Sequence, residues 1–369
     1  MDFERVTSLD GTFIANKYET RDTMKNNIIE KRRSKVLDAL EWNEEDMVSY
    51  ERQKESQSRM YSNSNINAKQ VATQGDIFDD VGIPIKDIEQ HVKSYITHNK
   101  GGKWELIRAP EKIMNGTPTN CYMEDGCSLH LEIYSHMGQL SPVYSTEKAV
   151  GIVLATGNMG KRLTENGQMK HLFLSRDGGL NWKGLRRGTH IYEIGDHGAI
   201  IVIAKKREPT NYIEFSWDEG ETWEKMVISE RDLLIENIII EPNSVSQQFM
   251  VYGNYADDSG DDYEPMTSAL NQAFLVYLDF SSLHEPQCKG IDNAGTPDSD
   301  YELWTPHDGR FGENQCFLGM HKTFVRRKQS SMCYNGEEHE MVTHVEPCTC
   351  ADIDFECDIG YIRNEDMNG

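Results

Sequence analysis

Ser175-Arg176-Asp177-Gly178-Gly179-Leu180-Asn181-Trp182 decides the fold, because two further stretches repeat its formula. Ser216-Trp217-Asp218-Glu219-Gly220-Glu221-Thr222-Trp223 matches it position by position. Thr97-His98-Asn99-Lys100-Gly101-Gly102-Lys103-Trp104 is a softened version, with Thr for Ser and Asn for Asp. The shared pattern, S/T-x-D/N-x-G-x-x-W, gives each residue a task. The hydroxyl of Ser175, Ser216 or Thr97 and the side-chain oxygen of Asp177, Asp218 or Asn99 accept bonds from amides inside a hairpin. Gly179, Gly220 and Gly101 supply the positive φ that such a turn needs. Trp182, Trp223 and Trp104 start the next strand and bury a large ring between sheets. Trp182 and Trp223 lie 41 positions apart, the length of one four-stranded propeller blade. Trp104 and Trp182 lie 78 apart, which predicts two blades, the intervening one without the formula.

Outward from these turns run short segments rich in β-branched and aromatic residues, separated by Gly, Asp and Asn. They include Leu129 to Tyr134, Val150 to Ala155, His171 to Ser175, Ala199 to Ala204, Tyr212 to Ser216, Ile235 to Ile240, Phe249 to Gly253 and Phe274 to Phe280. No helical period intervenes, so the fold class expected is all-β, with strands for about four blades of a propeller. Residues 19–90 differ in texture: there is no Gly or Pro from Lys17 to Gln74, and charged and amide residues dominate. This stretch is expected to be a charged insertion, part helix around Ile28 to Leu40 and part disordered.

The 369-residue chain carries 38 basic and 61 acidic residues, a net charge of -23, which repels nucleic acid and anionic membrane. The short basic run Arg326-Arg327-Lys328 is expected to be a solvated strand face. Mean hydropathy is -0.65 and no apolar run is long enough for a membrane helix. The start, Met1-Asp2-Phe3-Glu4-Arg5, lacks the pattern of a signal peptide.

Eight cysteines counter a cytosolic reading. Six of them (Cys288, Cys316, Cys333, Cys348, Cys350 and Cys357) fall after Pro286, in a loop-rich tail with too little apolar area to fold unaided. The rival is zinc, from Cys348-Thr349-Cys350 with His339 and His344 nearby, but no C-x-x-C pair completes a ligand set, and no metal or cofactor is expected. No cysteine sits in a nucleophile motif, and no catalytic residue is assigned. His197 is expected to be a turn histidine bonded to backbone, although a histidine can also switch an interface with pH. Asn115-Gly116-Thr117 is a glycosylation sequon, used only if Asn115 enters the secretory path.

The turn formula resembles the Asp-box of sialidases, BNR proteins and Vps10-domain receptors, in which the aspartates are structural. The resemblance sharpens in Cys316-Phe317-Leu318-Gly319, Phe324-Val325-Arg326-Arg327-Lys328-Gln329, Cys333-Tyr334-Asn335-Gly336-Glu337 and Cys348-Thr349-Cys350. Phe355-Glu356-Cys357-Asp358-Ile359-Gly360-Tyr361 extends it, and together these stretches are similar to the ten-cysteine module of the sortilin family. His190-Ile191-Tyr192-Glu193-Ile194-Gly195-Asp196-His197-Gly198, Leu9-Asp10-Gly11-Thr12-Phe13-Ile14-Ala15-Asn16 and the Cys121 to Cys127 loop carry it into the propeller. It implies residues 1–285 as the C-terminal part of a ten-bladed Vps10 propeller, and residues 286–369 as the start of the cysteine module. It also implies the pairs Cys121 with Cys127, Cys288 with Cys333, and Cys316 with Cys348. Cys350 and Cys357 either await partners beyond Gly369 or pair with each other.

The function implied is the lumenal cargo-binding region of a sorting receptor working between Golgi, endosome and vacuole or lysosome. Its partners would be protein or peptide cargo, not nucleic acid, and it would meet the membrane through a span outside this chain. A sialidase-like glycoside hydrolase is the alternative, but it needs an arginine cluster and paired carboxylates that do not stand out here. A non-catalytic scaffold propeller is a third reading.

Overall fold

The structure is a computed structural model that describes residues 2–18, 92–113, 116–133, 142–164, 166–206, 208–256, 273–283, 286–306, 316 and 319–350. The insertion expected at 19–90, Asn115 and Cys357 lie outside these residues. The described parts of Met1–Lys17 and Lys93–Gly369 belong to one compact unit.

Among the described residues twenty strands form five sheets. The first contains β1 (Asp2–Arg5), β2 (Phe13–Tyr18), β3 (Val92–Thr97) and β4 (Glu105–Leu106) in that order. The second is built on β7 (Ser128–Leu131), β8 (Val153–Gly160), β9 (His171–Ser175) and β10 (Lys183–Arg187), with β5 (Lys112–Ile113) and β6 (Thr117–Pro118) added beyond β10. The third runs β11 (His190–Gly195), β12 (Ile200–Lys205), β13 (Tyr212–Ser216) and β14 (Glu224–Val227). The fourth has β15 (Leu233–Ile239), β16 (Gln248–Tyr255) and β17 (Ala273–Asp279). These four sheets are propeller blades. A fifth sheet, β18 (Tyr301–Trp304), β19 (Met320–Arg327) and β20 (Thr343–Pro347), belongs to the disulfide-rich module that follows.

Successive blades stack face to face over three apolar layers. Ile14, Ile96, Leu129, Val153, Phe173 and Trp182 fill the first, and Leu154, Leu172, Leu174, Leu185, Ile194, Ile201 and Ile203 the second. Ile200, Val202, Phe215 and Trp217 meet Leu233, Phe249, Val251 and Phe280 in the third. Strand β12 explains why such segments read as unbroken apolar runs. Side chains alternate across a strand, so Ile200 and Val202 enter one layer while Ile201 and Ile203 enter the other.

Each Asp-box joins the third and fourth strands of its blade. Ser175 Oγ donates to Asp177 Oδ1 at 2.7 Å and accepts from Gly179 N at 2.8 Å; Asp177 Oδ1 accepts from Asn181 N at 2.9 Å. The third box repeats the geometry, with Ser216 Oγ to Asp218 Oδ1 at 2.8 Å and Gly220 N to Ser216 Oγ at 2.8 Å. In the first, Thr97 and Asn99 do the same work at 2.8 Å, and Lys103 N reaches Asn99 Oδ1 at 2.9 Å. Gly179 has φ +93°, where a Cβ would also strike Ile96 at 2.6 Å. Trp182 is buried and its Nε1 donates to Gly179 O at 2.8 Å; Trp223 makes the matching bond at 3.2 Å.

One expectation is corrected. The first two boxes close successive blades, and no blade lies between them among the described residues. Part of the chain between them extends the second blade instead. Strand β5 pairs in parallel with β10 through Ile113 and Gly184, and β6 pairs with β5. Spacing alone does not distinguish residues that widen a sheet from residues that start a new one.

Asp177→Ala is expected to destabilise the protein by about 1–3 kcal/mol, because Asn181 N and Ser175 Oγ lose their acceptor inside a turn. Thermal unfolding measures this, and an unchanged midpoint would remove the box from the stability argument.

Candidate functional site at the face shared by propeller and module

An Asp-box satisfies its own amides with its Ser and Asp side chains. The carbonyl of its second residue is left to take a donor from elsewhere. Two consecutive arginines of β19 supply the donors. Arg326 Nη1 donates to Arg176 O at 2.8 Å, and Arg327 Nη2 donates to Trp217 O at 2.5 Å and to Ala199 O at 3.4 Å. Arg326 also pairs with Glu302 at 2.8 Å and lies 4.5 Å over the Trp304 ring. Arg176 bonds Glu219 across the two boxes. Gln329 Nε2 reaches Asp218 O at 3.0 Å, and Lys322 pairs with Asp10 at 2.6 Å on the first blade. Beside these polar contacts Phe324 packs on Leu9 and Val150. The expected solvated face is therefore overturned. Arg327 is only 4% exposed, and Lys328 is spent on the carbonyls of Thr296 and Ser299. Packing of the module against the blades removes Arg326 and Arg327 from water.

A second contact centres on Asp196 and His197, in the turn between β11 and β12. The Asp196 carboxylate accepts from Asn335 N at 2.8 Å and Gly336 N at 2.7 Å, while Asn335 Nδ2 donates to Asp196 O at 2.9 Å. His197 Nε2 donates to Gly336 O at 3.1 Å. Its ring meets His339 edge-on at 4.8 Å, and His339 stacks on Tyr301 at 5.5 Å. Burial pushes the Asp196 carboxyl up to about 6, against the pull of the two amides and Arg327. Burial, then His339, pushes His197 down to about 4.

Beside this contact lies a cavity of about 280 Å³ lined by Thr7, Tyr144, Ser145, Thr146, Glu147, Lys148, Pro242, Asn243 and Ser244. Its lining is mostly hydroxyl, amide and charged groups, suited to polar ligand atoms. Behind it the Tyr144 hydroxyl donates to Glu193, whose carboxyl burial pushes up to about 7.

The cysteines fall as follows. Cys121 is bonded to Cys127, Cys288 to Cys333 and Cys316 to Cys348, with Cα separations of 5.1, 5.0 and 5.8 Å. Cys350 is a free, exposed thiol. Among the described residues one group has metal-ligand proximity, Cys288, Asp300 and Cys333, and both of its sulfurs are held in a disulfide. Asp177 and Asp218 are engaged within their own turns. The sequence reading missed Asp196, Asn335, Glu193 and Tyr144. The Asn335-Gly336 turn signal and an arginine pair flanked by Phe324-Val325 were the available hints.

Two adjoining family models match the chain. One is described as sortilin, neurotensin receptor 3, over residues 34–238, and the other as the C-terminal part of the same family, over residues 240–369. The vacuolar protein sorting/targeting protein 10 of Aspergillus clavatus is 34% identical over 281 residues, covering 74% of this chain and 18% of that protein. The human sortilin-related receptor is 32% identical over 287 residues, covering 76% of this chain and 12% of that protein. The chain thus spans less than a fifth of either relative. Both are named for sorting or reception, not for a catalysed reaction. A solved leech intramolecular trans-sialidase aligns with 10% identity and a TM-score of 0.25, over 77% of this chain and 41% of that one, too slight a likeness to carry an argument.

Two measurements test the site. Arg327→Ala is expected to cost roughly 1–3 kcal/mol, because it leaves the carbonyls of Trp217, Ala199 and Ser331 without their donor; a loss like that of a surface arginine would contradict this contact. The raised Glu193 carboxyl binds its proton more tightly folded than unfolded, so its contribution to stability is complete below pH 4.5 and is lost as pH rises through about 7. Glu193→Gln is therefore expected to raise the unfolding temperature relative to the parent at pH 8 and to lose that advantage at pH 4.5.

Proposed function

Because this chain belongs to the sortilin (Vps10) family, we propose that it forms part of the lumenal, cargo-facing region of a receptor that sorts proteins between Golgi, endosome and vacuole or lysosome. The observation that carries the reading is the pair of adjoining family matches, which run from the blades through the cysteine-rich stretch. The relatives' names supply the transport role. Three disulfides suit an oxidising lumen. In this reading residues 1–285 are propeller and residues 286–369 the cysteine-rich module, the cargo is protein or peptide, and the Asp-boxes are scaffold. The junction gives such a receptor a firm seat for the module, since it buries charge and apolar surface together.

Disrupting the gene is expected to send soluble vacuolar or lysosomal proteins into the medium; unchanged delivery would sink the sorting role. Lumenal exposure is expected to add a glycan at Asn115, seen as a mass shift on the purified full chain that Asn115→Gln abolishes. An unmodified Asn115 in secretory-pathway material would count against the lumenal placement.

A further inference from the structure

Three residues with a Cβ sit in the left-handed region at one spot beneath the module: Asp196 (φ 46°), His197 (φ 58°) and Ser244 (φ 56°). Such conformations are costly for these residues and persist only where surrounding contacts impose them. Here the contacts form a chain. The Cys288–Cys333 disulfide anchors the loop that follows it, where Cys288 N donates to Tyr334 O at 2.9 Å and Gln287 Nε2 to Asn335 O at 3.0 Å. That loop presents the Asn335 and Gly336 amides to Asp196. Asp196 N in turn donates to Ser246 O at 2.9 Å, and His197 N to Ser244 O at 3.1 Å, on the loop between β15 and β16 of the next blade. Ser244 is a wall of the 280 Å³ cavity.

We propose that the disulfide-rich module is the conformational lock of this cavity. By gripping Asp196 and His197 it holds the β11–β12 turn in its strained form, and that turn fixes the Ser244 wall through two main-chain hydrogen bonds. Release of the module lets both turns relax and reshapes the cavity, so occupancy of the cavity and seating of the module are coupled. The coupling rests on contacts within the chain and holds whether or not the receptor reading does.

Hydrogen exchange on the full chain, read by mass spectrometry, tests the lock. Asn335→Ala removes one bond of the grip and keeps the disulfide; Cys288→Ser with Cys333→Ser removes the anchor. Each is expected to raise exchange in residues 241–247 by about tenfold, the scale of a local opening made easier by one lost contact. Cys121→Ser with Cys127→Ser, away from the junction, is expected to leave those residues unchanged. Ser244→Gly abolishes the cost of positive φ, so in that background Asn335→Ala is expected to leave the wall protected. If residues 301–304 and 320–327 exchange faster in Asn335→Ala while 241–247 do not, the module leaves without moving the cavity and the proposal fails. It fails equally if Ser244→Gly does not blunt the response. Should the cysteine variant not fold, Asn335→Ala alone decides the outcome.

Discussion

The guanidinium of Arg327 is taken out of water against the third blade, where the carbonyls of Trp217 and Ala199, with Ser331 of the module, accept its hydrogen bonds. Removing a full charge from water is expensive, and attraction repays it only when geometry and partners are complete. Here main-chain oxygens take the two Nη groups and Asp196 and Glu219 add favourable charge nearby, while Nε is buried without a partner. The arrangement demands that two turns of the third blade present their carbonyls side by side. It also demands that Arg326 land on the neighbouring box at the same time, since the two residues are adjacent in one strand. The seating of the module thus reports on the spacing of the second and third blades.

The Asp-boxes make that possible by a division of labour. Their Ser, Thr, Asp and Asn side chains close the hairpin from within, and the tryptophans turn back over the glycine carbonyl. What remains in the second and third blades is a braced turn with an outward carbonyl at the same place, that of Arg176 and of Trp217. A motif usually treated as internal bracing serves also as a docking surface. The carboxylates of Asp177 and Asp218 are taken up inside their own turns.

Much of the architecture was legible in the chain. The three boxes announced blades, and the 41-residue interval between Trp182 and Trp223 matched one of them. The 78-residue interval misled, because β5 and β6 widen a sheet and leave no periodic trace. Arg326 and Arg327 misled for a different reason. An arginine pair in a strand of a protein with charge -23 reads as surface, and only the blades packed against it make it interior. Asp196 could not be read at all, since nothing near it in sequence says that its carboxylate meets amides 139 and 140 residues away.

The division follows the range of the forces. Side chains that bond their own backbone within four residues act before any fold exists, so Ser175, Asp177 and Gly179 declare their turn from local chemistry alone. Runs of β-branched and aromatic residues likewise suit strand geometry, and they marked eight of the strands, β7 to β9, β12, β13 and β15 to β17. Which carbonyl receives Arg327, which amides enclose Asp196 and which turn walls the cavity were settled only when distant segments met. Burial sets the strength of those contacts, and burial is a property of the packed stack of blades.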